Sequence, residues 1–152
     1  MRGKSDLVFV IHAAAVWLGM SAMLALMSLI GGWHRLARTY RARYDPQGRR
    51  YLFASMEIRG RLLLGERYSL CLTVYVSSYG IHLRIWLPFR FFHPPLFIPW
   101  RAIQAVESRR WLGFTIVRVR LSTEEELSFG YGVGKAIASE RESFRKGVAN
   151  WQ

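Results

Sequence analysis

The sequence predicts one transmembrane helix followed by an α+β domain, a small antiparallel β-barrel or sandwich closed by a C-terminal amphipathic helix. Three patterns in this chain of 152 residues predict that class. An apolar run occupies residues 7–32, apolar and polar residues alternate from Tyr51 onward, and apolar residues return to helical spacing near Val133.

The apolar run is long enough to cross a bilayer. Its 26 residues contain no Asp, Glu, Lys or Arg, and about 20 helical residues span the hydrocarbon core. A cleavable signal peptide is the alternative, because Arg2 and Lys4 resemble its positive start, but its apolar part covers only roughly 7–15 residues. We therefore expect residues 1–6 to form a tail and residues 7–32 an uncleaved anchor. Three small residues near one face would pack against other helices: Gly19, Ala22 and Ala25.

The charges that flank the anchor predict its orientation. Arg2 and Lys4 precede it, whereas six arginines follow it within residues 33–50. The more positive flank of a membrane helix faces the cytoplasm. We expect the N-terminus outside and the C-terminal domain in the cytoplasm.

The whole chain is strongly basic, with 22 Lys and Arg against 10 Asp and Glu and a formal net charge of +12. Such a charge attracts anionic lipid, nucleic acid or an acidic protein. Nucleic acid is disfavoured as a partner because no recognised nucleic-acid module is present and the cations are scattered. A single cysteine, Cys71, excludes an internal disulfide and fits a reducing compartment.

Residues 33–50 are predicted to form a basic juxtamembrane helix and turn. Trp33, Leu36, Ala37, Tyr40 and Tyr44 make one apolar-aromatic stripe at helical spacing, and Asp45–Gly48 would end the helix. Aromatic and arginine side chains suit the headgroup level of a membrane. The predicted lipid-contact residues are Trp33, Arg35, Arg38, Tyr40, Arg41 and Arg43. Alternatively, the stripe packs on the following domain.

Residues 51–152 are predicted to form the β domain. Alternating segments place one set of apolar side chains on a core: Leu52, Ala54, Met56 and Ile58, then Leu70, Leu72, Val74 and Val76, then Ile81, Leu83, Ile85 and Leu87, then Thr115, Val117, Val119 and Leu121, and last Leu127, Phe129 and Tyr131. A shorter strand is expected around Ile103–Val106. Strict alternation with short turns, as after Ser78-Tyr79-Gly80, is typical of antiparallel strands.

A terminal helix, at about residues 133–149, follows the strands. Its apolar stripe consists of Val133, Ile137, Phe144 and Val148. A run of strands followed by one amphipathic helix suits a small, partly open barrel that the helix plugs.

The order of these segments resembles bacterial pleckstrin-homology-like (PH-like) domains. The segment Ile98-Pro99-Trp100, with Ile103, resembles the stretch that leads into the second half of that barrel. The resemblance implies a PH-like domain beside a transmembrane helix in a bacterial inner membrane. It transfers no catalytic residues, and no phosphoinositide-type basic signature matches residue by residue.

The segment Pro88–Trp100 is unusually rich in proline and aromatic residues. A second membrane span is improbable here because proline removes backbone donors that lipid cannot replace. One interpretation is a loop that presents aromatic, aliphatic and basic side chains to a membrane or a partner: Phe89, Arg90, Phe91, Phe92 and Leu96. The other is that these side chains fill the small barrel.

Signals for catalysis and cofactors are weak, and we expect neither catalytic residues, nor metal ligands, nor a cofactor. The segment Gly130–Lys135 lacks the spacing of a phosphate loop, and the four histidines have no metal-ligand spacing. His12 inside the anchor could ligate a haem or a pigment, although a lone histidine there more often contacts headgroups or a neighbour.

The sequence therefore favours binding over catalysis. The leading hypothesis is an accessory or scaffolding subunit of a membrane protein complex, which the small residues of the anchor favour. The alternative is a sensor or adaptor that binds anionic lipid at the membrane surface.

Overall fold

The apolar run forms a long helix, α1 (Arg2–Ile30), in the computed structural model, which describes residues 2–30, 32–60, 65–86, 89–111 and 113–149. By its length and composition α1 is able to cross a membrane. Its most apolar window, Asp6–Met23, is not buried against the rest of the chain. The predicted N-terminal helix is confirmed, but it begins at Arg2, within the segment predicted to be a tail.

A second helix, α2 (Trp33–Tyr40), follows almost at once. Gly32 separates the two with a left-handed backbone (φ +84°), which glycine adopts without steric cost. The helix ends before Tyr44, unlike the prediction, because the chain joins the sheet edge. The Ala42 N–H donates to the carbonyl of Pro95 (2.8 Å), and Arg41 forms a bridge with Leu96.

Among the residues described, seven antiparallel strands make one curled, half-barrel sheet. They are β1 (Arg49–Arg59), β2 (Glu66–Ser77), β3 (Gly80–Ile85), β4 (Leu96–Pro99), β5 (Ile103–Trp111), β6 (Phe114–Leu121) and β7 (Glu126–Gly130). Their order across the sheet is β4-β3-β2-β1-β7-β6-β5. Two 3₁₀ turns, Phe89–Phe92 and Trp100–Ala102, flank β4. The antiparallel sheet is confirmed, and β5 is longer than the short strand predicted.

The C-terminal helix, α3 (Tyr131–Ala149), packs on β2, β6 and β7. Ile137 is buried, and Val133 and Phe144 pack partly against the core, whereas Val148 of the predicted stripe is exposed. A Cβ at Gly134 would overlap the side chain of Val117, so the helix lies directly on the sheet. Arg141 donates to the carbonyls of Ile103 and Gln104 and ties α3 to β5. Tyr131, predicted to end a strand, instead begins this helix and is exposed.

One hydrophobic core joins α2, the sheet and α3. Among the large side chains with almost no exposed surface are Trp33, Leu36, Met56, Leu72, Leu83, Leu96, Leu121 and Phe129. The predicted register of β6 is confirmed, because Val117 and Leu121 are buried whereas Arg120 is exposed. Arg118, also expected to be exposed, is half-buried beside Glu126.

The predicted register is wrong at two points, Leu52 and Leu70, whose side chains are exposed rather than buried. Tyr51 pairs with Val74 and Ala54 with Leu72, so two residues of β1 oppose one residue of β2. The next pair, Met56 with Tyr68, leaves three residues of β2 opposite Ser55. These adjacent bulges interrupt the alternation that a regular strand would keep.

Candidate functional site

The aromatic residues of α2 lie inside the domain. Trp33 is fully buried and its Nε1 donates to the carbonyl of Pro94 (3.0 Å). Tyr40 is also buried, and its hydroxyl lies 3.2 Å from the Ser122 hydroxyl. Trp33 and Tyr40, predicted to contact lipid, therefore pack on the domain, whereas Tyr44 of the same predicted stripe is exposed.

Trp33 also belongs to an aromatic cluster that fastens α2 to the sheet. Its ring centroid lies 5.2 Å from that of Tyr68 and 5.5 Å from that of His93. The Tyr68 hydroxyl donates to Glu66 Oε2 at 2.6 Å. Burial raises the pKa of both the Tyr68 hydroxyl and the Glu66 carboxyl. This tightly packed, hydrogen-bonded arrangement supports a structural role.

Arg35, predicted to contact lipid, makes an ion pair with the domain. Its Nε lies 2.8 Å from Oε1 of Glu125, whose side chain is 6% exposed. Glu125 belongs to the acidic run of the β6–β7 turn, which charge patterning alone would leave in solvent. Glu125 Oε2 has no hydrogen-bond partner within the described residues. Arg35 therefore provides most of the interactions that offset burial of this negative charge.

Three further predicted lipid-contact residues, Arg38, Arg41 and Arg43, are exposed and lie together. With His34, Ala37, Thr39 and Pro94 they line a cavity of about 380 Å³. Within the described ranges, none of the three arginines forms an ion pair. This part of the surface is positively charged and open to an anion.

A larger basic feature lies on the outer face of β1–β3, and we call it the outer-face groove. It consists of two adjoining cavities, of about 420 and about 460 Å³, which share Arg84 and Arg90. Arg43 lines the first cavity and Arg50 the second. Strand register explains why Arg50 and Arg84 lie near each other. Arg50 pairs with Tyr75 and Arg84 with Thr73, and Thr73 and Tyr75 lie on the same face of β2. Side chains of paired residues lie on the same face of a sheet.

The groove has an excess of positive charge. Asp45 is the one acidic side chain among the described residues that line it. No ion pair involves Arg43, Arg50, Arg84 or Arg90 in the described part of the chain. His82 also lines the groove, and burial lowers the pKa of its imidazole, which therefore stays neutral near pH 7.

Exposed apolar side chains border this groove. We call the rings of Phe53 and Trp86, together with the neighbouring Leu52 side chain, the aromatic rim. The rings of Phe53 and Trp86 lie 4.9 Å apart, and the indole N–H of Trp86 donates to the Thr73 hydroxyl at 3.0 Å. Leu52 and Trp86 line the second cavity. The rim is produced by the β1 bulge and exposes 54% of Phe53.

Backbone strain accompanies the bulges. Phe53 and Leu70 adopt φ values of +52° and +55°, a left-handed conformation that large side chains rarely take. Each such residue costs on the order of 1–3 kcal/mol. Leu70 is 67% exposed, so neither strained side chain is compensated by burial in the core.

The proline-rich segment divides between core and surface. Leu96 is fully buried and does not form part of a presented loop. Phe92 and Arg90 are exposed, and the 3₁₀ turn that carries them contacts α1. The side chains of Phe89 and Phe91 lie outside the described part of the structure. Of this set, Arg90 is the residue that the structure brings to the groove.

Two of the residues predicted to pack against other helices, Gly19 and Ala22, lie on the exposed surface of α1. A Cβ at Gly19 would meet no atom within 4 Å, and Ala22 is exposed. The side chain of Ala25 falls outside the described residues. His12 Nδ1 lies 2.8 Å from the carbonyl of Val8 in the same helix. No group of three His, Cys, Asp or Glu suited to a metal ion occurs among the residues described.

Sequence reasoning missed Arg84, Arg50 and the aromatic rim as parts of one surface. Alternation does place His82, Arg84 and Trp86 on the outward face of β3. It contains no signal that the chain around Arg43 would cross that face, or that a bulge would turn Phe53 toward Trp86.

A scan against models of protein families gives no match, and a search of curated proteins gives no similar sequence.

Proposed function

We propose that this chain is a non-enzymatic, single-pass membrane protein, an accessory or scaffolding subunit of a membrane protein complex. One observation carries the proposal: the exposed apolar helix α1 is followed after two residues by α2, which lies in the core of the β domain. Apolar side chains that the chain itself leaves unburied need lipid or other helices around them. A domain joined without a flexible linker keeps a defined position beside those helices.

A PH-like assignment of the β domain belongs to this proposal. The meander β1–β4, the segment Ile98-Pro99-Trp100, the hairpin β6–β7 and the closing helix α3 occur in the order that the resemblance implies. The proposal gives the β domain a role in binding rather than in catalysis.

The proposal places α1 in the bacterial inner membrane, with the N-terminus outside and the β domain in the cytoplasm. The arginines on the domain side of α1 support this orientation, and Arg38, Arg41 and Arg43 are exposed.

The test is purification of the tagged chain from its native membrane in mild detergent. We expect specific membrane proteins to co-purify in stoichiometric amounts. Replacement of both Gly19 and Ala22 by Leu should remove them, because bulky side chains prevent close helix approach.

Leu24→Phe is the matched control, because position 24 lies roughly 140–160° around the helix from both small residues. Its partners should be retained. A chain that migrates alone would contradict the subunit function, whereas equal loss of partners in both variants would contradict only the packing face formed by Gly19 and Ala22.

A second candidate, a sensor of anionic lipid, is favoured by Arg38, Arg41 and Arg43, which form no ion pair within the described ranges. Arginines near an anionic leaflet contribute roughly 1 kcal/mol each. A lipid sensor should migrate alone in detergent, and its β domain should release from anionic vesicles as salt rises.

A further inference from the structure

The outer-face groove combines two features that one ligand would explain. Arg43, Arg84 and Arg90 line its first cavity without an ion-pair partner in the described part of the chain. Convergent cations repel one another, so such an arrangement is stabilised when an anion binds between them. Guanidinium groups match phosphate oxygens in particular, because they donate two parallel hydrogen bonds.

The second feature is the aromatic rim beside those arginines. Phe53 is held exposed by a strained backbone, and its ring contacts that of Trp86. Strain that places a large apolar side chain in water does not serve the stability of the domain, and such strain often marks a functional surface. Aromatic side chains with a polar tip, such as Trp86, suit the boundary between headgroups and acyl chains.

We propose that the outer-face groove binds an anionic phospholipid, with its phosphate at Arg43, Arg84 and Arg90 and the start of its acyl chains on the aromatic rim. This inference rests on the proposed function, because it requires α1 to hold the domain at a membrane. It adds a specific lipid site to that function, separate from the general attraction of a basic domain to an anionic leaflet.

The position of the groove favours a lipid over a soluble anion. Arg90 lies in the 3₁₀ turn Phe89–Phe92, and that turn contacts α1. The groove therefore adjoins the point where the anchor meets the domain. The ligand that fits an arginine cavity, an apolar rim and this location is amphipathic and anionic.

The test uses the full chain in nanodiscs of phosphatidylcholine containing phosphatidylglycerol. After release into mild detergent, native mass spectrometry counts the phosphatidylglycerol molecules that each protein retains. We expect Arg84→Gln combined with Arg90→Gln to reduce retention about tenfold, because two charge-assisted contacts are lost.

Arg109→Gln combined with Arg110→Gln is the matched control. These exposed arginines lie on β5, at the opposite edge of the sheet from β4, and form no ion pair within the described ranges. The two double variants lose the same charge. Equal retention in both, or equal retention of phosphatidylcholine and phosphatidylglycerol by the wild type, would overturn the proposal.

Phe53→Gly separates a lipid site from a structural role. Glycine accepts the left-handed backbone at this position, so the thermal unfolding midpoint should hold or rise. Lipid retention should nevertheless fall roughly threefold to tenfold, because apolar contact area is lost. Unchanged retention with a lowered midpoint would show that Phe53 serves packing and would overturn the rim as a lipid contact.

Carbonate extraction of native membranes distinguishes this inference from the proposed function. If carbonate extracts the chain from native membranes, the anchor itself fails and so does the function built on it. If the chain stays inserted while the groove variants retain lipid like the control, only the lipid site is overturned.

Discussion

At the scale of single residues, the ion pair between Arg35 and Glu125 predicts a measurable effect of substitution on stability. Arg35→Gln would leave the buried Glu125 carboxylate without its partner, since Oε2 already lacks a hydrogen bond among the described residues. Because Arg35 is 51% exposed, solvent screens part of the loss. We expect a decrease of about 1–3 kcal/mol in the free energy of unfolding, measured by chemical denaturation.

Arg59→Gln is the control for that substitution. Nη2 of Arg59 lies 2.9 Å from Oε1 of Glu57, but the Glu57 side chain is 28% exposed. The free energy of unfolding should therefore fall by less than about 1 kcal/mol. Equal losses in the two variants would contradict the importance of Glu125 burial. Removing both Arg35 and Glu125, as Arg35→Gln with Glu125→Gln, should restore part of the stability because no buried charge remains.

His82 makes the stability of the domain depend on pH. Burial lowers the pKa of its imidazole from 6.5, so the unfolded chain binds this proton at a higher pH than the folded chain does. The contribution of neutral His82 to the free energy of unfolding is present above pH 6.5. It is lost as pH falls through 6.5 toward the pKa of the folded state. His82→Phe should flatten the profile of unfolding free energy in that range.

The difference between the wild-type and His82→Phe profiles isolates this residue. Glu66 changes stability in the opposite sense, since burial raises the pKa of its carboxyl, and it contributes equally to both proteins. Parallel profiles would contradict the assignment to His82.

At the scale of elements, the contact between α3 and β6 depends on the absence of a side chain at Gly134. Gly134→Ala would push a methyl group into Val117, and overpacking of this kind costs about 1–3 kcal/mol. Gly132→Ala, two residues earlier, meets nothing within 4 Å and should be neutral or slightly stabilising. Thermal unfolding of both variants checks the difference, and similar midpoints would contradict direct helix–sheet contact.

The elements themselves were largely predictable from the sequence. Alternation located the strands, as in β6, where Val117 and Leu121 face the core, and helical spacing located α2 and α3. The bulges at Phe53 and Leu70 were not predictable, because a bulge changes which residues pair while leaving composition unchanged. The position of Glu125 likewise depends on Arg35, which is distant in sequence and close only in the fold.

At the scale of the whole molecule, the residues that follow the anchor belong to the β domain. A fragment beginning at Tyr51 lacks four core side chains of α2: Trp33, Leu36, Ala37 and Tyr40. Large core deletions cost about 2–5 kcal/mol each, against a typical total stability of 5–15 kcal/mol. We expect this fragment to be unfolded by circular dichroism and one beginning at Gly32 to be folded. Equal folding of the two would contradict the shared core.

The proposed topology is tested in intact spheroplasts. Protease added outside should leave the β domain uncut, because the arginine-rich flank of α1 favours the cytoplasm. Digestion to a short membrane-bound fragment would reverse the orientation, and rupture of the cells before digestion provides the control that the domain is cleavable.

The pairing of β1 with β7 has a consequence for synthesis. Met56 pairs with Phe129, so the sheet joins segments that leave the ribosome far apart in time. Closing such long loops slows folding. Until β7 emerges, β1 presents an open hydrogen-bonding edge that other chains can pair with. We expect ribosome-stalled chains ending before Glu126 to remain protease-sensitive, which leaves an anchored nascent chain dependent on a chaperone until translation ends.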